Sequence, residues 1–256
     1  MRFSFEHHMC VRRFGDGPEL VWIHGLGESS TSFEPIARHP AFAGYTHVLP
    51  DLPGYGRTPW TESPMDLAAL ARRLSAWLAE RPPAVIIGHS MGGVLVSLIA
   101  ERLAVRGVVD IDGNISRGDC NFSGQVVPYT AEEFAKVGFQ KLRDDTYEKG
   151  MTQRPLRGYH AAMCFASPAM FYRHSLDLVE ISEREDRAAR LAALRAPVLY
   201  IAGGLPDGIC ERSRELLSKH GVRWITIENT GHWVYLDAPD AFAQAVAGFV
   251  AELPRS

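Results

Sequence analysis

Ala84-Val85-Ile86-Ile87-Gly88-His89-Ser90-Met91-Gly92-Gly93-Val94-Leu95-Val96 is the stretch that decides the fold. A short apolar run rich in β-branched residues ends in glycine. A serine follows two positions later, and two more glycines lead into a segment that is apolar almost all round. This order predicts a buried strand over 84–88 and a central helix over 94–103. Ser90 then stands on the turn between them, in G-x-S-x-G spacing. A serine hydroxyl is a poor nucleophile until a base takes its proton, and it must stand clear of the sheet to reach a carbonyl. A very tight turn gives that clearance, at about 1–3 kcal/mol of backbone strain. The residues two positions to either side must then be small, as Gly88 and Gly92 are. The following helix presents its N-terminus, so unpaired N–H groups face any negative charge that develops there.

Working outward, short apolar segments alternate with longer amphipathic ones. Strands are expected at 3–8, 10–14, 20–24, 47–49, 84–88, 105–111, 198–202 and 223–227. Several are continuous apolar runs, the pattern of strands buried on both faces of a parallel sheet. Residues 3–8 and 10–14, separated only by Met9, read as an antiparallel hairpin at one edge. Helices are expected at 66–79, 94–103 and 241–253, and strand–helix alternation implies right-handed βαβ units. Between about 115 and 189 no strand is evident, and helices are expected at 131–141 and 187–194. Residues 120–175 hold nine aromatic residues and three methionines, denser than the 10% aromatic content of the whole chain. A helical insertion of that composition suits the lining of an apolar pocket.

The 256 residues carry 27 basic and 30 acidic side chains, a net charge of −3. No basic field exists to hold nucleic acid by counterion release. No apolar run of about 18 residues exists, so no membrane span is expected. The first residues lack a signal-peptide apolar core, which points to a cytoplasmic protein. Cys10, Cys120, Cys164 and Cys210 form neither metal-ligand spacing nor a disulfide framework. No metal and no cofactor are expected.

Three further motifs stand in order around the Ser90 turn. His24-Gly25-Leu26-Gly27 follows the third expected strand. Asp51-Leu52-Pro53-Gly54-Tyr55-Gly56-Arg57-Thr58 follows the fourth. Gly231-His232 follows the last. With Gly88-His89-Ser90-Met91-Gly92, these resemble the α/β-hydrolase superfamily over nearly the whole chain. The matching motifs are its HGxG oxyanion loop, its D-x-P-G-x-G-x-S segment (with Thr58 for the usual serine) and its histidine turn. The resemblance implies an α/β fold with a mostly parallel eight-stranded sheet, helices on both faces, and a helical lid inserted after the sixth strand. The core would comprise 1–114 and 187–256, and the lid 115–186. It also implies Ser90 as nucleophile, His232 as base, and the backbone N–H groups of Leu26 and Met91 as the oxyanion hole. His24, Gly25 and His89 would support the site, His24 by orienting the oxyanion loop and His89 by packing in the elbow.

Two aspartates compete to orient His232. Chain order requires an acid between Ser90 and His232. Asp207, in Gly203-Gly204-Leu205-Pro206-Asp207, fits the family's habit after the seventh strand but falls one residue late. Asp112, at the end of the sixth strand, fits a minority arrangement. Asp119 is a weaker third candidate, and Asp51 reads as loop-shaping. The expected activity is cleavage of a carboxylic ester, or a related acyl bond, of a small and mainly apolar substrate through an acyl-enzyme. His160, Arg154, Arg157 and Arg173 are candidate contacts for a substrate carboxylate. A C–C bond hydrolase, a hydroxynitrile lyase or a cofactor-free haloperoxidase would use the same residues. A non-catalytic ligand receptor is the remaining reading, and it is disfavoured by the intact Ser90 and His232. The expected partner is the small substrate alone, with a monomeric or homodimeric protein.

Overall fold

The computed structural model describes residues 1–81 and 84–254. Eight strands form one sheet: β1 (Arg2–Glu6), β2 (Met9–Gly15), β3 (Glu19–Ile23), β4 (Thr46–Pro50), β5 (Val85–His89), β6 (Gly107–Ile111), β7 (Val198–Gly203) and β8 (Trp224–Ile227). Their spatial order is β1-β2-β4-β3-β5-β6-β7-β8. β2 pairs antiparallel with β1 and β4, and every other pairing is parallel. The central strands β5 (VIIGH) and β6 (GVVDI) are buried at all five positions. This is why residues 85–88 and 107–109 read as apolar runs, with His89 and Asp110 as the buried polar exceptions.

The helices are α1 (Glu34–Ala37), α2 (Leu67–Ala79), α3 (Met91–Ala100), α4 (Ala131–Glu133), α5 (Phe139–Gly150), α6 (Arg154–Met163), α7 (Pro168–Glu183), α8 (Arg187–Ala192), α9 (Glu211–Lys219), α10 (Val234–Asp237) and α11 (Pro239–Glu252). They cover both faces of the sheet. In β7 the alternation is visible residue by residue. Leu199 and Ile201 join the main core, while Tyr200 and Ala202 join a second cluster with Leu191 of α8 and Leu216 and Leu217 of α9.

Three expectations are corrected in detail. The first hairpin turns at His7-His8, not at Met9, because both histidines take positive φ (48° and 61°), as a tight hairpin turn requires. Helix α3 starts at Met91, directly after Ser90, three residues earlier than its apolar stripe suggests. The helix expected over 131–141 is broken: α4, capped by Thr130, passes through a π-helical turn at Phe134–Gly138 into α5. The rest of the segment between β6 and β7 consists of helices, short 3-10 turns and loops, and contains no strand.

Beneath the site, Arg187 of α8 donates from Nη2 to Asp110 Oδ2 of β6 at 2.8 Å, with both side chains buried. Asp110 Oδ1 also accepts the Gly113 N–H. Asp110→Asn removes the charge without changing the shape, and it leaves a buried guanidinium uncompensated. Breaking such a pair costs about 3–5 kcal/mol. A thermal melt is expected to show a Tm lowered by roughly 10 °C for a chain of this size. A shift of only a degree or two would mean that water reaches Arg187.

Candidate active site

The first side chain past β5 is Ser90. Its N–H continues the ladder by donating to Ile111 O of β6 at 2.8 Å, and its carbonyl receives Gly93 N–H as α3 begins. Between these restraints Ser90 takes φ 54° and ψ −117°, a left-handed conformation rare for a residue with a Cβ. The flanking glycines are a steric requirement. A Cβ on Gly88 would lie 2.1 Å from Gly92 O, and one on Gly92 would lie 2.0 Å from Ile23 O. Among the described residues, Ser90 Oγ makes no hydrogen bond. It opens into a small cavity that His232 also lines.

His232 sits in the turn after β8. Its Nδ1 lies 2.6 Å from Asp112 Oδ2, which leaves Nε2 as the ring nitrogen available to the cavity. Asp112 is buried, and it too is held at positive φ (49°). Its other oxygen accepts the Gly203 N–H at 3.1 Å and the Ile209 N–H at 3.3 Å, so the carboxylate is fixed by the loop after β7. Asp207, the rival acid, does not reach His232. Its Oδ2 packs against Gly231, where a Cβ would come within 2.4 Å. Asp119 is occupied elsewhere: it accepts the N–H groups of Ile115, Ser116 and Cys210 and the Ser213 hydroxyl, closing the chain that leaves β6.

Leu26 follows β3, and its N–H, like that of Met91 at the first position of α3, is committed to no protein acceptor among the described residues. His24 shapes this loop. Its Nδ1 meets Gly25 O at 2.9 Å, while its Nε2 accepts the Leu52 N–H at 3.0 Å. With one acceptor and one donor as partners, the ring is a neutral tautomer. Complete burial lowers its pKa in agreement. Asp51 is loop-shaping as expected: its two oxygens receive the N–H groups of Ser30 and Arg57, and Thr58 Oγ1 donates to its carbonyl. Thr58 thus fills the place of the usual serine with the same hydroxyl.

Sequence reasoning passed over Glu28. It is buried directly after His24-Gly25-Leu26-Gly27, with Gly25 N, His89 Nδ1 and Trp233 Nε1 around its carboxylate at 2.7, 3.1 and 2.6 Å. Its signal was an acid directly after Gly27, at the C-terminal edge of a strand where apolar or small residues otherwise continue. Sequence reasoning also missed an aromatic wall. Phe122, Tyr159 and Trp233 pack ring to ring, with centroids 4.9, 5.3 and 5.8 Å apart. On the inner side of this wall lies the Ser90 cavity, with about 20 Å³ of room, enough for about one water. Its other side is polar, with Asn114, Asn121 and Ser123. On the outer side lies a groove of about 740 Å³ that shares Tyr159 and Trp233 and carries Arg12, Arg57, Arg154 and Arg157.

Of the four insert side chains considered for a substrate carboxylate, none lines the inner cavity. Arg173 pairs with Asp177 at 2.8 Å. Arg157 donates to the carbonyls of Gly150 and Met151. His160 packs on Tyr147. Arg154 faces the outer groove.

The described residues include no helix long and apolar enough to cross a membrane. Residues 20–245 match the model of the alpha/beta hydrolase family. A pimeloyl-[acyl-carrier protein] methyl ester esterase of Stenotrophomonas maltophilia is 29% identical, over 93% of this chain and 95% of the relative. The protein of that name in Xylella fastidiosa is 27% identical over 96% and 100%. Among solved structures, a thermophilic esterase from Thermogutta terrifontis superposes with a TM-score of 0.79 at 17% identity, covering 98% of this chain and 99% of its own. A putative aryl esterase from Burkholderia cenocepacia gives 0.77 at 19% identity, covering 98% of each. Most of the chain thus fits one family model, and the chain belongs to the alpha/beta hydrolase family.

Proposed function

We propose that the protein is a serine esterase in which Ser90 is the nucleophile, His232 the base and Asp112 the orienting acid. The observation that carries this reading is the strained Ser90 turn, which opens on the same cavity as a histidine whose far nitrogen lies 2.6 Å from a buried carboxylate. Ser90 Oγ attacks the ester carbonyl as His232 Nε2 takes its proton. The oxyanion rests on the Leu26 and Met91 N–H groups, where each donor is worth about 3 kcal/mol of barrier. His232 returns the proton to the alcohol oxygen as the C–O bond breaks. Water, deprotonated by His232, then releases the acid and frees Ser90.

The substrate favoured is a methyl ester at the end of an acyl chain borne on a carrier protein. Two full-length relatives carry that specificity in their names. The site agrees in scale. The inner cavity admits little more than a small alcohol group, while the outer groove, of about 740 Å³, has the volume for a chain and carries arginines. The segment 115–186 acts as the cap that supplies Phe122 and Tyr159. The test is a panel of esters graded separately in alcohol and acyl length. Methyl esters are expected to exceed butyl esters in kcat/KM by about tenfold or more, because a cavity of that size excludes the longer alcohol. No ester turnover by a folded protein would remove the proposal.

The aromatic wall yields its own prediction. Tyr159→Ala is expected to raise kcat/KM for butyl relative to methyl esters by about tenfold, as the wall opens to a larger group. Tyr159→Phe keeps the ring and is expected to leave that ratio unchanged. An unchanged ratio in Tyr159→Ala would show that the alcohol lies elsewhere.

A further inference from the structure

Behind the nucleophile lies a buried histidine whose two ring nitrogens both face acceptors. His89 Nδ1 is 3.1 Å from Glu28 Oε2, and Nε2 is 2.9 Å from the backbone carbonyl of His232. A carbonyl cannot donate, so Nε2 carries a proton. The remaining proton lies on either Nδ1 or Glu28 Oε2. Glu28 already receives the Gly25 and Trp233 N–H groups, and the Tyr235 hydroxyl stands 3.4 Å from Oε1. Donors on both oxygens favour the carboxylate, and a carboxyl is in any case the stronger acid of the two.

We propose that Glu28 and His89 are positioning residues: Glu28 keeps His89 as an imidazolium, which clamps the His232 carbonyl and sets a fixed positive charge beside the catalytic ring. The pair lines the Ser90 cavity, but among the described residues it makes no hydrogen bond to the Ser90 hydroxyl or the His232 ring. It ties together three separate segments, the oxyanion loop at Gly25, the nucleophile turn at His89 and the histidine turn at His232 and Trp233. The role for His232 rests on the reading of Ser90 and His232 given above. Both side chains are 1% exposed, so neither charge is screened by solvent. Burial pushes the Glu28 carboxyl up, but the His89 charge and the hydrogen bonds from His89, Gly25 and Trp233 outweigh it and hold the group at about 2. Burial likewise pushes His89 down, and the Glu28 charge and hydrogen bonds outweigh it to raise the imidazole above its ordinary value.

The His89 and His232 rings are 4.6 Å apart between centroids. A standing positive charge there opposes a second one on His232, whereas Asp112 on its far side favours it. The other charged groups near this turn are Asp207 against Gly231, and Asp237, which accepts the Gly231 N–H. Glu28 lies on the side of His89 away from His232. Neutralising the pair therefore removes the nearer charge, the positive one. His232 must be neutral to accept the Ser90 proton. The acid limb of the rate profile should accordingly move to higher pH when the pair is lost.

Two measurements on the full chain test this. In nitrogen-15 histidine spectra of wild type, one of the ten histidines is expected to remain doubly protonated at about pH 9, far above the ordinary imidazole range. That signal is expected to vanish in Glu28→Gln and persist in Glu28→Asp. Ten singly protonated rings in wild type at that pH would overturn the proposal, and this arm needs no variant to fold. The second measurement is the rate at which a fluorophosphonate labels Ser90, followed against pH. Glu28→Gln is expected to lose about tenfold more rate near pH 6 than near pH 8.5, and Glu28→Asp to keep the wild-type acid limb. A loss equal at every pH would reduce the pair to packing and overturn its electrostatic role. A doubly protonated signal in a protein that never labels at Ser90 would preserve the ion pair and remove the esterase reading, so the two failures are distinguishable.

Discussion

Ser90→Ala is expected to give a folded protein that takes up no fluorophosphonate and whose kcat falls by about 10⁶, the scale seen when a serine hydrolase loses its nucleophile. The fold should survive because the Ser90 hydroxyl holds nothing in place. Its Oγ makes no hydrogen bond among the described residues, and the restraint on the turn comes from the backbone, Ser90 N to Ile111 O. Alanine keeps the Cβ that the φ of 54° already tolerates, so the strained turn is not relieved by the change. Intact mass before and after labelling reads the result directly, with one adduct on wild type and none on the variant. An adduct on Ser90→Ala, or residual ester turnover by it near wild type, would put the nucleophile elsewhere.

How much of the fold was legible follows from what each segment packs against. The central strands of the parallel sheet are buried on both faces, so residues 85–88 of β5 and 107–109 of β6 announce themselves as apolar runs. Helix α2 is covered on one side only. Its stripe of Leu67, Leu70, Leu74, Trp77 and Leu78 therefore shows, and Asp66 caps it. The insert after β6 was less legible because its helices pack on one another and on loops. α6 and α7 begin at Gln153-Arg154-Pro155 and Ser167-Pro168, where proline favours the first turn. Between them the aromatic residues point several ways and set no single stripe. The π-helical turn at Phe134–Gly138 inserts a residue into the helical period, so no regular stripe crosses it.

The site divides along the same line. Ser90, His232, Leu26 and Met91 stand in local motifs whose geometry is written in neighbouring glycines. Glu28 and the Phe122–Tyr159–Trp233 wall come from segments distant in the chain, and their meeting depends on the course of the insert and of the histidine turn. The acid is the sharpest instance. Asp112 and Asp207 both follow strands that end beside His232, so strand order alone leaves both open. What separates them is backbone conformation. Asp112 takes a left-handed turn, and its Oδ1 is seated on the Gly203 and Ile209 amides, leaving Oδ2 for the imidazole. Asp207 lies one residue past Pro206 with its carboxylate turned against the Gly231 backbone.

Asp112→Asn and Asp207→Asn are therefore expected to differ sharply. In Asp112→Asn the side-chain oxygen keeps its place on the Gly203 and Ile209 N–H groups, because the amide nitrogen cannot accept from them. The NH2 group then faces His232 Nδ1 and donates to it. That forces the imidazole proton onto Nε2, the nitrogen that must receive the Ser90 proton. A base in the wrong tautomer cannot act, and the same exchange in a serine protease lowers kcat by about 10⁴. Asparagine tolerates left-handed backbone, so the fold should hold and the loss should fall on kcat rather than on protein yield. Asp207→Asn changes a side chain that does not touch the imidazole and should stay within about threefold of wild type, the surface-like range of effects. Steady-state kinetics on one ester for both variants decide the matter. Comparable losses would mean that the two carboxylates share the task, and a loss confined to Asp207→Asn would transfer the role to the loop after β7. A pH profile of the residual Asp112→Asn activity adds a second check. With the imidazole trapped in the wrong tautomer, turnover should recover as hydroxide replaces the missing base, so its rate should climb at alkaline pH where wild type is flat.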